Sequence, residues 1–177
     1  AACIVTERGS YRWVTQPGVS IDLYEFEELE KRLSTCTELT EESQRDYQRA
    51  LSLYGGNLLQ GSEEEWALSR SATLHASFLK LVYQYLTLLK AAERYNEIID
   101  VCRAALDVDA FDETLHLQLM NALVKTCRNH EALMQYKHVT NLHFRYLGVQ
   151  PPEGIQEFYK QIMQAGDTLE MNIDAIR

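Results

Sequence analysis

Proline, glycine, paired cysteines and basic side chains are all scarce in this sequence, and each shortage excludes something. Three prolines and eight glycines among 177 residues leave little to interrupt regular structure, which rules out a collagen-like or low-complexity chain. The four cysteines, Cys3, Cys36, Cys102 and Cys127, stand far apart with no Cys-x-x-Cys pair. That spacing offers neither a disulfide framework nor a zinc site, and it suits thiols in a reducing cytoplasm. No apolar run approaches the roughly 18 residues of a membrane span. The opening residues lack the basic flank and apolar stretch of a secretory signal. Only 17 Lys and Arg stand against 26 Asp and Glu, a net charge of -9. Such a balance argues against a chain that embraces nucleic acid along its whole surface, because phosphates need cations to neutralise them.

Catalytic and cofactor patterns are missing too. His130-Glu131 begins no His-Glu-x-x-His motif, and His138 and His143, five apart on one expected helix, are badly spaced to share a metal. Gly55-Gly56 and Gly61 lack the Lys-Ser/Thr that completes a phosphate-binding loop. No serine sits in a nucleophile elbow. The expectation is a chain without enzymatic activity, cofactor or metal.

What remains is an ordinary globular composition, 46% apolar and 24% charged, in a length suited to one domain, or one domain and part of another. The charge is uneven. Residues 1–19 carry Arg8 and Arg12 against Glu7, whereas residues 20–70 hold 12 acidic and 5 basic groups. Only the first short segment leans basic.

The pattern beyond it is helical. Asp22 with Glu25 reads as a capping box before an apolar stripe of Leu23, Phe26, Leu29 and Leu33. Thr40 can cap a second helix with the stripe Tyr47, Ala50, Leu51 and Tyr54, stopped by Gly55-Gly56. Ser62 with Glu65 reads as another capping box, and Glu63, Glu64 and Glu65 suit the positive end of a helix macrodipole. The helix they open should reach about Ala92, with a break near Ser69 to Ser71. Later, Leu133, Tyr136, Val139, Thr140, His143 and Leu147 share one face of a helix that Gly148 ends and Pro151-Pro152 prevents from continuing. A last helix follows, with Ile155, Phe158, Tyr159 and Ile162 inward and Gly166 as its end.

The centre of the chain repeats. Arg94-Tyr95-Asn96-Glu97-Ile98-Ile99 returns as Arg128-Asn129-His130-Glu131-Ala132-Leu133, an offset of 34 residues. The same offset carries Leu81 onto Leu115, Tyr85 onto Leu119, Leu86 onto Met120, Leu89 onto Leu123 and Ala105 onto Val139. A period of that length, built from two helices and a tight turn, is the tetratricopeptide signature. One amphipathic helix pair cannot bury its apolar face alone, so stacked pairs share a continuous core.

The N-terminus differs in kind. Ile4-Val5-Thr6 and Tyr11-Arg12-Trp13-Val14 flank a Gly9 turn and read as a β-hairpin. A lone hairpin is marginal in water, so it should belong to a sheet upstream or pack on the helices, with Tyr11 and Trp13 as its packing side chains.

These turns and helix ends resemble the bacterial transcriptional activator domain, the helical module of the antibiotic-regulator class of transcription activators. The residues carrying the resemblance are Leu53-Tyr54-Gly55-Gly56-Asn57-Leu58-Leu59-Gln60-Gly61 with Trp66; Arg94-Tyr95; Ala105-Leu106-Asp107-Val108-Asp109 with Glu113, His116 and Leu119-Met120; Glu131-Ala132-Leu133 with Tyr136; and Leu147-Gly148-Val149-Gln150-Pro151 with Tyr159. Two positions depart from the family pattern: Cys127 replaces a frequent Gly, and Ala110 a frequent Pro. The resemblance implies a winged-helix DNA-binding domain before Ala1, with the hairpin as its wing. Residues 1–20 are then the wing remnant and linker, 21–166 the activator domain, and 167–177 a tail. The fold class expected is all-α, a tetratricopeptide-like stack with that hairpin in front.

Function then follows as expectation. In a tetratricopeptide stack the first helix of each unit lines the concave face, which puts Lys80, Tyr83, Thr87 and Lys90 there in one unit and Thr114, Leu117, Asn121 and Lys125 in the next. Their polar and basic cast suits an acidic or extended peptide. Arg8 and Arg12 are candidates to touch DNA backbone from the wing. The expected partners are the chain itself as a dimer or higher, neighbouring domains of the same activator, and the transcription machinery. DNA is reached only through the upstream winged helix, and no membrane is involved. The rival readings are a free-standing peptide-binding scaffold and an accessory module of an enzyme lying beyond Arg177.

Overall fold

The computed structural model describes residues 4–13, 21–56, 61 and 63–174. Two strands, β1 (Ile4–Glu7) and β2 (Ser10–Trp13), precede seven helices: α1 (Asp22–Leu33), α2 (Glu41–Leu53), α3 (Glu65–Ala91), α4 (Tyr95–Val108), α5 (Glu113–Lys125), α6 (Asn129–Leu147) and α7 (Glu153–Asp174). The chain divides into two compact units, one ending at Leu81 and one starting at Val82, so the division falls within α3.

In the first unit, β1 and β2 pair antiparallel with Ile4 opposite Trp13 and Glu7 opposite Ser10. Arg8 and Gly9 both have positive φ, 49° and 82°, as a tight two-residue hairpin turn requires. The side chains of Tyr11, Arg12 and Trp13 lie outside the described residues. Helices α1 and α2 run antiparallel. Arg49 grips Glu25 at 2.6 and 2.8 Å, and Arg32 reaches Asp46 at 2.5 Å. The guanidinium of Arg49 holds the Glu25 carboxyl below its ordinary range. Thr40 caps α2 as expected, in a reciprocal box with Ser43. At the other end Tyr54 stacks on Phe78 of α3, ring centroids 4.5 Å apart, and its hydroxyl meets His75 Nδ1 at 3.3 Å. Phe26, Leu29, Leu33, Tyr47, Ala50, Leu74 and Phe78 close this core.

Three helix-level expectations need correction. The box at Asp22 and Glu25 does not form: Ile21 is the N-cap, without a side-chain cap, because the Glu25 carboxylate is committed to Arg49. No break interrupts α3, where Ser71 is buried and Thr73 returns its hydroxyl to the Ser69 carbonyl at 3.0 Å. Helix α7 runs through Gly166 to Asp174, since an isolated glycine weakens a helix by only about 1 kcal/mol and no proline follows it. Ser62, the other expected cap, lies outside the described residues.

The second unit holds the end of α3 and helices α4 to α7. Its core is drawn from Val82, Tyr85, Leu86, Leu89, Ile98, Ile99, Cys102, Leu115, Leu119, Met120, Leu123 and Val139, each at most 3% exposed. The turns after α3 and α5 match bond for bond across 34 residues. Arg94 N–H donates to Leu89 and Arg128 N–H to Leu123, while Glu93 N–H donates to Lys90 and Cys127 N–H to Val124. Glu93 and Cys127 both occupy the left-handed region, at φ 55° and 60°. A side chain there costs roughly 1–2 kcal/mol, which explains why glycine suits position 127. Arg94 then pairs with Glu97, and Arg128 with Glu131, each three residues on.

Gly148 ends α6 in the left-handed conformation, its N–H on the Phe144 carbonyl at 3.1 Å. Leu147 is 55% exposed and stands off the inward face assigned to it, whereas Val139 and His143 are buried. Tyr159 of α7 stacks on Tyr136 of α6 at 4.1 Å, and Ile155 is fully buried.

Candidate partner-binding groove

Helical spacing brings the candidate side chains to one face. Thr87 lies one turn after Tyr83 on α3, with Lys90 a turn further, and Gln118 lies one turn after Thr114 on α5. Together with Leu86 these residues line a groove of about 300 Å³. Asp112 builds the groove's closed end. One of its carboxylate oxygens accepts from Leu115 N–H at 2.8 Å, capping α5, and the other accepts from the Tyr83 hydroxyl. A single carboxylate thus fixes the start of α5 against α3. Burial, then the bond to Asp112, pushes the Tyr83 phenol above its ordinary range, so Tyr83 is a committed neutral donor.

The groups left for a partner lie beside it. Lys90 and Thr114 are exposed, and among the described residues Lys90 has no ion pair. Thr87 donates to the Tyr83 carbonyl at 2.8 Å and keeps lone pairs to accept with. Gln118, absent from the sequence-based set, adds an amide. Its position four residues after Thr114 was the signal that could have found it.

The other expected residues go elsewhere. Lys80 belongs to the first unit, where its ammonium lies 3.8 Å from Glu30 of α1. Leu117 faces α7, since a Cβ on Gly154 would sit 3.6 Å from it. Asn121 is half-buried and Lys125 exposed on α5, outside the groove lining. Arg8 is exposed at the hairpin turn, and Arg12 sits in β2 opposite Val5.

A second depression, about 410 Å³, lies among α4, α5 and α6. Its polar groups are already engaged. His116 Nε2 meets the Ala110 carbonyl and Nδ1 the Gln135 amide, both at 2.9 Å. Arg103 binds Glu131 at 3.1 Å. Burial lowers the His116 pKa and keeps the ring neutral. Cys102 is also sealed in, its thiol pushed up to about 12 by burial and then by Asp112. Of the two hollows, the α3–α5 groove is the one with uncommitted donors. Among the described residues no three His, Cys, Asp or Glu side chains gather as a metal site, and no helix is long and apolar enough to cross a membrane.

Comparison with known proteins defines the class. Residues 21–163 match the family model of the bacterial transcriptional activator domain, and the chain belongs to that family. Over 121 residues, 68% of this chain, it is 31% identical to the regulatory protein AfsR of Streptomyces coelicolor. The chain spans only 12% of that protein's length. It is therefore a regulatory domain of the kind found in bacterial transcription activators.

Proposed function

We propose that the chain is the interaction module of a DNA-binding activator, a tetratricopeptide-type stack that binds protein and leaves DNA to an upstream winged helix. The observation that carries this reading is the α3–α5 groove, where Lys90, Thr87, Thr114 and Gln118 offer donors and acceptors beside an anchored Tyr83. Lys90 suits a carboxylate, and the hydroxyls and amide suit the backbone of an extended segment. The occupant is an acidic or extended peptide from a neighbouring domain of the activator or from the transcription machinery. The β1–β2 hairpin is the winged helix's wing, with Arg8 at its tip. The module performs no catalysis and works in the bacterial cytoplasm, where it also helps activator copies assemble on repeated DNA half-sites.

The test is a transcription reporter driven by the natural activator carrying Thr87→Glu and Lys90→Glu, with promoter occupancy measured in parallel. Activation should fall while occupancy persists. Unchanged activation would remove the groove from the mechanism.

A further inference from the structure

Two apolar patches of opposite electrical character stand open to solvent. The first is at the end of α6. Phe144 is 72% exposed and Tyr146 67%, and Leu147 and Val149 continue the patch into the turn. Phe111 meets Tyr146 edge-on at 6.3 Å. From residue 132 to residue 152 the sequence has no carboxylate, but it has Lys137 and Arg145. Both are exposed and, among the described residues, have no ion pair. In a chain of net charge -9 this is a cationic island around exposed aromatics.

The second patch belongs to the first unit. Helices α1 and α3 run parallel, joined by Glu27 with Arg70 and by Glu30 with Lys80. Tyr24 lies one turn before Glu27, and Trp66 one turn before Arg70. The two rings therefore head the same seam, 57% and 62% exposed. Around them stand the exposed carboxylates of Glu28, Glu63 and Glu65.

We infer that these patches recognise each other between copies, the α6 end of one chain seating on the Tyr24–Trp66 seam of a second. Large exposed aromatic clusters on a folded domain mark interaction sites. Opposite rims steer the two faces together and oppose like-with-like pairing. Because the two surfaces differ, the contact is heterologous, head to tail. That polarity suits copies set in one direction on directly repeated sites. The inference rests on the self-assembly part of the proposed function but is independent of the groove.

Sedimentation equilibrium on the purified chain tests it. Lys137→Glu with Arg145→Glu, and separately Glu63→Lys with Glu65→Lys, should each weaken self-association by roughly tenfold or more. Mixing the two variants should restore it, since each rim then meets its opposite. All four positions are exposed, and circular dichroism checks that each variant folds. A monomeric wild-type chain, variants that associate like wild type, or a mixture that stays dissociated would each overturn the inference. The last result would point the α6 patch at a different acidic partner. None of these outcomes bears on the reporter test of Thr87 and Lys90, so the two proposals fail separately.

Discussion

The end of α3 with α4 and, 34 residues on, α5 with α6 share a turn but not a core. Both turns place a non-glycine residue at positive φ and repeat the same backbone bonds. Yet Val82 in the first pair corresponds to His116 in the second, and both are buried to within 1%. Valine needs only apolar neighbours. Histidine needs a partner for each nitrogen, because an unsatisfied buried polar group costs about 1–3 kcal/mol. The Ala110 carbonyl and Gln135 supply them. Repetition therefore fixes the backbone, while single buried positions decide which neighbouring loop and helix each pair holds.

The largest effect should come from what the two pairs share. Leu89 and Leu123 occupy equivalent buried sites, so Leu89→Ala and Leu123→Ala should each cost about 2–5 kcal/mol in urea unfolding. A loss at only one of them would break the equivalence. Next comes the point of difference. His116→Val copies the first pair into the second, strands the Gln135 amide and the Ala110 carbonyl, and should cost about 1–3 kcal/mol near pH 7.5. Its pH dependence has a definite sign. Burial lowers the folded-state pKa of His116, so below the unfolded value of about 6.5 the unfolded chain binds more protons and stability falls with falling pH. Unfolding midpoints at pH 7.5 and 5.5 should show a smaller acid loss in His116→Val than in wild type. An equal loss would move that titration to another group.

A smaller effect of opposite sign is expected at the turns. Cys127→Gly relieves the positive φ but loosens the unfolded chain, for a net gain of roughly 0.5 kcal/mol, visible as a raised melting temperature. Glu93→Gly should do the same. The smallest change belongs to Arg128→Ala, whose exposed pairing with Glu131 should contribute less than the Cys127 relief. A thermal shift larger than that of Cys127→Gly would contradict this order.

Much of the helical architecture was legible because its signals are local. Gly55-Gly56, Gly148 and Pro151-Pro152 mark ends that the chain obeys, and the 34-residue offset is carried by Arg and Glu three residues apart. What was not legible depends on partners distant in sequence. Glu25 looked like a cap until Arg49, 24 residues away, claimed it. Leu147 had the right spacing for the core but no neighbour to cover it. The candidate site divides in the same way. Tyr83, Thr87, Lys90 and Thr114 line one groove, whereas Lys80 answers to Glu30 and Leu117 to α7, contacts no helical period announces.

The central claim is that this domain binds protein and does not read DNA. The most direct measurement pairs promoter occupancy with transcript output for the activator carrying Thr87→Glu and Lys90→Glu. The account predicts wild-type occupancy with activation lost. Occupancy falling in step with activation, or activation left intact, would contradict it.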